Sequence, residues 1–259
     1  MRNSVRYIVE TILILLFCAG MAWLLVRTRR EAAGESCTGI DISFSDSLKF
    51  VSEAEIRKYL QDGYGSCTGK RLINIDLTAI EQLLESKTAI KNSEAWTNSD
   101  GILHIRISQR TPALRFIENG KGFYVDETGY VFPLHKSFTA PVRVIKGAIP
   151  EFPPDFKGQA EDPGTREWIL QLLAMNRHIE SSRIWRNRIS GITVKRNRDL
   201  VLRTSDSDTY FIFGAPADFE EKFSKMEKFY SHILPYRGEG YYTSADLKYN
   251  KQIICRKDI

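Results

Sequence analysis

The chain has 259 residues, of which 42% are hydrophobic and 27% charged, with a mean hydropathy of −0.29. That length and balance hold one large or two ordinary cores, and they exclude a disordered or fibrous chain. The net charge of +5 suits an anionic membrane surface or a nucleic acid, and composition does not choose between them.

The first element is an unbroken apolar run, Ile12–Val26 (ILILLFCAGMAWLLV). Extended back to Tyr7, it reaches roughly the 20 residues a helix needs to cross a bilayer. A cleaved signal peptide fits less well, because the run is long and Arg27–Glu31 is a poor approach to a cleavage site. A lipoprotein signal fails at Phe17, which is too large ahead of Cys18. The expectation is an uncleaved transmembrane helix over 7–27, after a short tail over 1–6 and before a linker over 28–37. Arg2 and Arg6 precede it and Arg27, Arg29 and Arg30 follow, so charge leaves its orientation open.

Residues 38–110 read as one folded unit in the order strand, helix, helix, strand, strand. Ile40, Ile42 and Phe44 alternate with polar residues. Ser52 followed by Glu55 is a capping box that opens a helix over Ile56 and Leu60. After the break DGYGSCTGKR, Asp76 caps a second helix whose stripe is Leu77, Ile80, Leu83 and Leu84. A hairpin follows, with Asp100-Gly101 at its turn and Leu103, Ile105 and Ile107 on its buried parity. Cys37 and Cys67 enclose about thirty residues. They are either bridged, in an oxidising compartment, or two thiols.

Residues 111–259 read as a mixed sheet with two helices. Tyr124–Asp126 and Tyr130–Phe132 flank a three-residue loop with Gly129 placed for a bulge. Asp162-Pro163 starts a helix with Trp168, Leu172, Met175 and Ile179 inside. Ile192 and Val194 answer Leu200 and Leu202 across Asn197–Asp199. Pro216 is read as opening the second helix, whose stripe is Phe219, Phe223, Met226, Phe229/Tyr230 and Ile233. Arg183, Arg186, Arg188, Lys195, Arg196 and Arg198 straddle a helix end and a hairpin tip, which suits solvated faces better than a nucleic-acid groove.

No catalytic or metal-binding constellation is legible. His104, His135, His178 and His232 are scattered, no Cys-x-x-Cys or G-x-S-x-G occurs, and Gly69-Lys70-Arg71 lacks the first glycine of a phosphate loop. The expectation is a protein that is not an enzyme and needs no cofactor. The last fifteen residues, ADLKYNKQIICRKDI, place Leu247, Tyr249, Ile253 and Cys255 on one parity, with Cys255 facing the core. They form either a hairpin about Asn250-Lys251, with arms Leu247–Tyr249 and Gln252–Arg256, or one long strand. Both put a strand at a sheet edge, kept soluble by Lys251, Arg256 and Lys257 or filled by a partner strand.

FVSEAEI, LINIDLTAIEQLLE and DGILHIRISQRTPALRF together resemble a POTRA domain. The ending QRTP (Gln109–Pro112), then FYVDETGYVFP (Phe123–Pro133), PVRVIKG (Pro141–Gly147), FEEKFSKMEKFY and ADLKYNKQIICRK resemble the bacterial cell-division family FtsQ/DivIB, in that family's order. Ala95 departs where a larger β-branched residue is usual, and Lys248 where the family favours Arg; Lys lacks the planar two-pronged contact. The resemblance implies an α+β chain with one N-terminal transmembrane helix, a POTRA domain and a C-terminal β-domain with an extended curved sheet. It implies a single-pass inner-membrane protein with a cytoplasmic N-terminus, its bulk periplasmic, acting as a scaffold at the division septum. It also implies that the last strands bind FtsB, which travels with FtsL, through Tyr249, the backbone of Gln252, Ile253, Ile254, Cys255 and Arg256, and the position of Lys248. The POTRA unit would help recruit the protein to the septum, with Trp96 as an outward contact. The rival readings are a POTRA-bearing secretion or outer-membrane-assembly component and an anchored extracytoplasmic hydrolase.

Overall fold

A computed structural model describes residues 14–23, 36–98, 100–135 and 138–257. Residues 14–23 are helical, with Ile14, Leu15, Leu16, Phe17, Met21 and Trp23 all more than half exposed. The rest of the expected transmembrane span, 7–13 and 24–27, lies outside the described residues. Among those described, no helix is long and apolar enough to cross a membrane. The remainder divides into two compact units at Gln109/Arg110.

In the first unit β1 (Gly39–Phe44) lies parallel to β3 (Ile102–Gln109), which pairs antiparallel with β2 (Ile90–Thr97), in the order β1-β3-β2. Helices α1 (Glu53–Gly63) and α2 (Leu77–Glu85) are built as their caps dictate. Ser52 Oγ accepts the Glu55 N–H at 3.3 Å while Glu55 Oε2 accepts the Ser52 N–H at 2.8 Å, and Asp76 Oδ1 accepts the Ala79 N–H at 2.9 Å. The buried parity of β3 (Leu103, Ile105, Ile107) is covered with Ile56, Leu60, Ile80 and Leu84, all buried. Gly63 lets the helices close: a Cβ there would lie 2.5 Å from Leu83 Cδ1. Gln109 fastens the end of β3, donating to Asp46 Oδ1 (2.8 Å) and Leu48 O (2.7 Å) and accepting the Val51 N–H (2.9 Å).

Cys37 and Cys67 are both buried thiols. The backbone of Cys37 pairs with the turn beyond Cys67, its N–H to Lys70 O and its O from Gly69 N–H, each at 2.8 Å. Trp96 is half-buried rather than free. It stacks on His104, ring centroids 5.4 Å apart, with the Arg106 guanidinium 5.1 Å from its centroid.

The second unit is a ten-stranded mixed sheet. Its strands are β4 (Pro112–Glu118), β5 (Lys121–Asp126), β6 (Tyr130–Pro133), β7 (Arg143–Gly147), β8 (Gly158–Gln159), β9 (Ile189–Val194), β10 (Leu200–Thr204), β11 (Tyr210–Gly214), β12 (Ser244–Asp246) and β13 (Ile254–Arg256). They run β13-β12-β11-β10-β9-β7-β4-β5-β6-β8. Three pairs, β4/β7, β7/β9 and β11/β12, are parallel. Gly147 ends β7 at φ +97°, where a Cβ would fall 2.3 Å from Val194 O, so only glycine permits the close β7–β9 approach.

Two helices cover this sheet and two single turns join them: α3 (Pro163–Ser181), α4 (Trp185–Arg188), α5 (Phe219–Lys228) and α6 (Leu234–Arg237), with a π-helical stretch over Phe229–Ile233. Asp162 caps α3 through the Thr165 N–H at 2.7 Å, with Pro163 in the first turn. Trp168, Leu172, Met175 and Ile179 of α3 and Phe223 and Met226 of α5 join one core with Phe116, Phe211 and Phe213. The second helix begins at Phe219, not at Pro216. Asp218 sits ahead of it in a left-handed conformation (φ 50°), so the chain between β11 and α5 is a turn. The basic cluster is dispersed: Arg188 pairs with Asp206 (2.8 Å), Arg186 with Glu180 (3.5 Å), and Arg198 donates to Thr165 Oγ1 (3.0 Å).

Candidate partner-binding edge

The end of the chain folds as the hairpin β12–β13, with Ser244, Ala245 and Asp246 opposite Arg256, Cys255 and Ile254. No further strand lies beside β13 among the described residues. The arms are not those expected from parity: Leu247 is buried beyond β12, and Tyr249 is in the turn. The Gln252 N–H donates to Tyr249 O at 3.3 Å, which makes Asn250 and Lys251 the central turn residues, Lys251 at φ 57°. The long-strand alternative is therefore set aside.

Which backbone groups of β13 point outward follows from its neighbours. Leu247 N–H donates to Ile212 O (3.0 Å) and Tyr210 N–H to Thr243 O (3.1 Å), so odd-numbered residues of this stretch turn to β11. Backbone direction alternates along a strand, so Ser244 and Asp246 turn to β13 and meet Arg256 and Ile254. The alternation breaks at the start of β12, where Arg256 O accepts the Thr243 N–H at 2.9 Å although the Thr243 C=O turns to β11. Cys255, between them, directs its N–H and C=O away from the sheet. Its side chain, like that of Ile253, packs on the core, while Ile254 and Arg256 are exposed. Burial raises the Cys255 thiol pKa.

Five of the seven expected contact residues therefore divide into three kinds. Cys255 presents backbone; Ile254, Arg256 and Gln252 present side chains; Ile253 supports from below. Tyr249 is about half exposed, at 48%. Lys248 is committed elsewhere. Its Nζ is 3.2 Å from Asp199 Oδ2, a bond that raises the lysine pKa, and its stem lies on Gly214, where a Cβ would be 2.6 Å from Lys248 Cγ.

Three residues outside the expected set shape the edge. Lys225 of α5 is buried, and its Nζ donates to Leu247 O (3.1 Å) and Tyr249 O (2.8 Å) and pairs with Glu221 (3.0 Å). Glu221 Oε1 also accepts the Lys251 N–H at 3.5 Å, and these bonds hold its carboxyl below the usual range. Tyr241 hydrogen-bonds Lys257, whose ammonium also sits over its ring, and its phenol pKa falls in consequence. The signal for Lys225 was present in the sequence. Lys222 and Lys225 fall on or beside the apolar stripe of α5, where a lysine needs internal acceptors. Lys222 finds them at Ala215 O and Ala217 O, both 2.7 Å away.

Residues 111–256 match a family model described as FtsQ/DivIB, C-terminal related, and residues 35–108 match one described as a POTRA-like domain. No curated protein matches the chain.

Proposed function

The chain belongs to the FtsQ/DivIB, C-terminal related family, and from that membership we propose that it is a scaffold of the division machinery that binds partners at its open sheet edge. An FtsQ/DivIB-related domain joined to a POTRA-like one supports a role in cell division. On this reading the apolar run over 7–27 anchors the chain in the inner membrane as a single-pass helix. The N-terminus is cytoplasmic and both folded units are periplasmic, at the septum. The partners are FtsB- and FtsL-like division proteins. One supplies a strand that adds to β13, while the POTRA-like unit helps recruit the chain. The role needs no catalysis and no cofactor.

The observation that carries the reading is the outward-facing backbone of Cys255 on the last strand of the sheet, beside the exposed Ile254. An unpaired strand edge offers main-chain hydrogen bonds to an extended segment, and flanking side chains select it. The secretion-component alternative rests on the POTRA-like match alone; the longer match favours division. Depletion of the protein in its own cells tests the assignment. Filaments with stalled septa are expected, and normal division with an altered envelope would overturn it.

A further inference from the structure

A three-residue strand at a sheet edge is marginal by itself, since it has few ladder bonds and, among the described residues, only β12 beside it. Something must hold β12–β13 in shape before a partner arrives. The only buried cation touching the hairpin among the described residues is Lys225, and its environment is unusual for a lysine. The side chain is 8% exposed, and its ammonium has three donors and three acceptors: Leu247 O at 3.1 Å, Tyr249 O at 2.8 Å and Glu221 Oε1 at 3.0 Å. Two of the three are backbone carbonyls flanking Lys248, the point where the chain leaves β12 for the turn. Glu221, one helical turn earlier, accepts the Lys251 amide on the far side of the same turn. Helix α5 thus grips the turn at both ends through one ion pair.

We propose that Lys225 is a positioning residue for the partner-binding edge: clamped with Glu221 onto the 247–251 turn, it pre-forms β13 for an incoming strand without touching that strand. The proposal rests on the edge reading above. The clamp supplies what strand addition needs. A template that is already ordered spares the partner the entropy of ordering it, so affinity depends on the clamp although no partner atom meets it. Buried charge also makes the device all-or-none. Removing the ammonium takes its donor from the buried Leu247 carbonyl and from the partly buried Tyr249 carbonyl, while a merely exposed ion pair would hardly be missed. Lys248, by contrast, is tied to Asp199 on the β9–β10 turn and exposed at its head, and it is not part of this grip.

Lys225→Met, which keeps the stem and removes the charge, is compared with the wild-type full chain by amide hydrogen exchange and by complementation of depleted cells. The expected result is that amides of 247–257 exchange about 10- to 100-fold faster, the factor carried by lost charge-assisted hydrogen bonds. Amides of β9–β11 should stay protected, and septation should fail at normal protein levels. Glu221→Gln should give the same pattern more weakly, and it replaces Lys225→Met should that variant unfold. Unchanged exchange at 247–257 in both variants would overturn the clamp and leave the edge reading intact. Faster exchange there with normal septation would instead overturn the edge reading itself.

Discussion

Replacing Cys255 by proline separates the backbone of the edge from its side chains. The Cys255 N–H points away from the sheet, so proline there removes no bond inside the hairpin, and edges are where strands tolerate it. What it removes is the donor that a partner strand would use, and its ring stands in that strand's path. Losing one such hydrogen bond costs about 0.5–1.5 kcal/mol, and the partner carbonyl left unpaired adds about 1–3 kcal/mol. Together they amount to about 1.5–4.5 kcal/mol, or a roughly 10- to 2,000-fold weaker complex. The assay is titration of the full chain, in detergent, with the extracytoplasmic segment of the FtsB-like partner proposed above. Cys255→Ala is the control, since it loses the same sulfur but keeps the N–H. Hydrogen exchange at Ser244–Asp246 verifies that the hairpin survives. Ile254→Pro should behave oppositely, because that residue turns its N–H toward Asp246, and it should dissolve the hairpin. Binding by Cys255→Pro equal to that of Cys255→Ala, with the hairpin intact, would refute main-chain recognition at this edge.

The other predictions concern the two folded units, each taken by itself. His104 lies 3.1 Å from Asp41 and 3.3 Å from Asp100 and stacks on Trp96, which Arg106 also overhangs; the carboxylates raise its pKa above the ordinary value. A raised folded pKa gives stability that is complete below about pH 6.5 and lost as pH climbs through the folded value. Thermal unfolding of wild type minus His104→Phe should therefore show an advantage at pH 6 that shrinks by pH 8.5, and a flat difference would reject it. Gly147→Ala should cost about 3 kcal/mol or more in denaturant unfolding, because a left-handed alanine would drive its Cβ into Val194 O. Asp199→Ala should change stability by less than about 1 kcal/mol, because the Lys248 head it pairs with is 40% exposed.

Local chemistry was legible in the sequence because its causes are local. The Ser52/Glu55 box, the Asp76 and Asp162 caps and the Gly129 loop each need only residues a few positions apart, and the structure contains all four. The POTRA-like unit could be read for the same reason, its strands separated by capped helices. Errors arose where a distant segment decides. Parity alone placed Tyr249 in a strand, but Lys225 takes its carbonyl and a left-handed Lys251 turns the chain, a conformation lysine seldom adopts. Proline at 216 looked like a helix start, whereas Asp218 bends first and α5 begins at Phe219. The parallel β11–β12 pair joins segments some thirty residues apart in sequence across α5, and no periodicity announces such a pairing. The outward direction of Cys255 depends on that pair, so the one backbone group that matters most could not be assigned from the strand's own residues.

The edge has to satisfy two opposed demands, and its residues divide between them. An exposed strand invites pairing with another copy of itself, and the usual defence is short length and positive charge. Here the strand is three residues long and Arg256 is exposed beside Lys257. Antiparallel self-pairing would bring such charges from two chains face to face, which is unfavourable. A short charged strand is also a weak template, and its defence against self-association would by itself cost it a partner. The order that brevity removes is restored from beneath, by Ile253 and Cys255 on the core and by Lys225 on the turn. Selectivity on the solvent side and rigidity on the buried side are therefore carried by different residues, so substitutions at the edge and at α5 should fail in different ways.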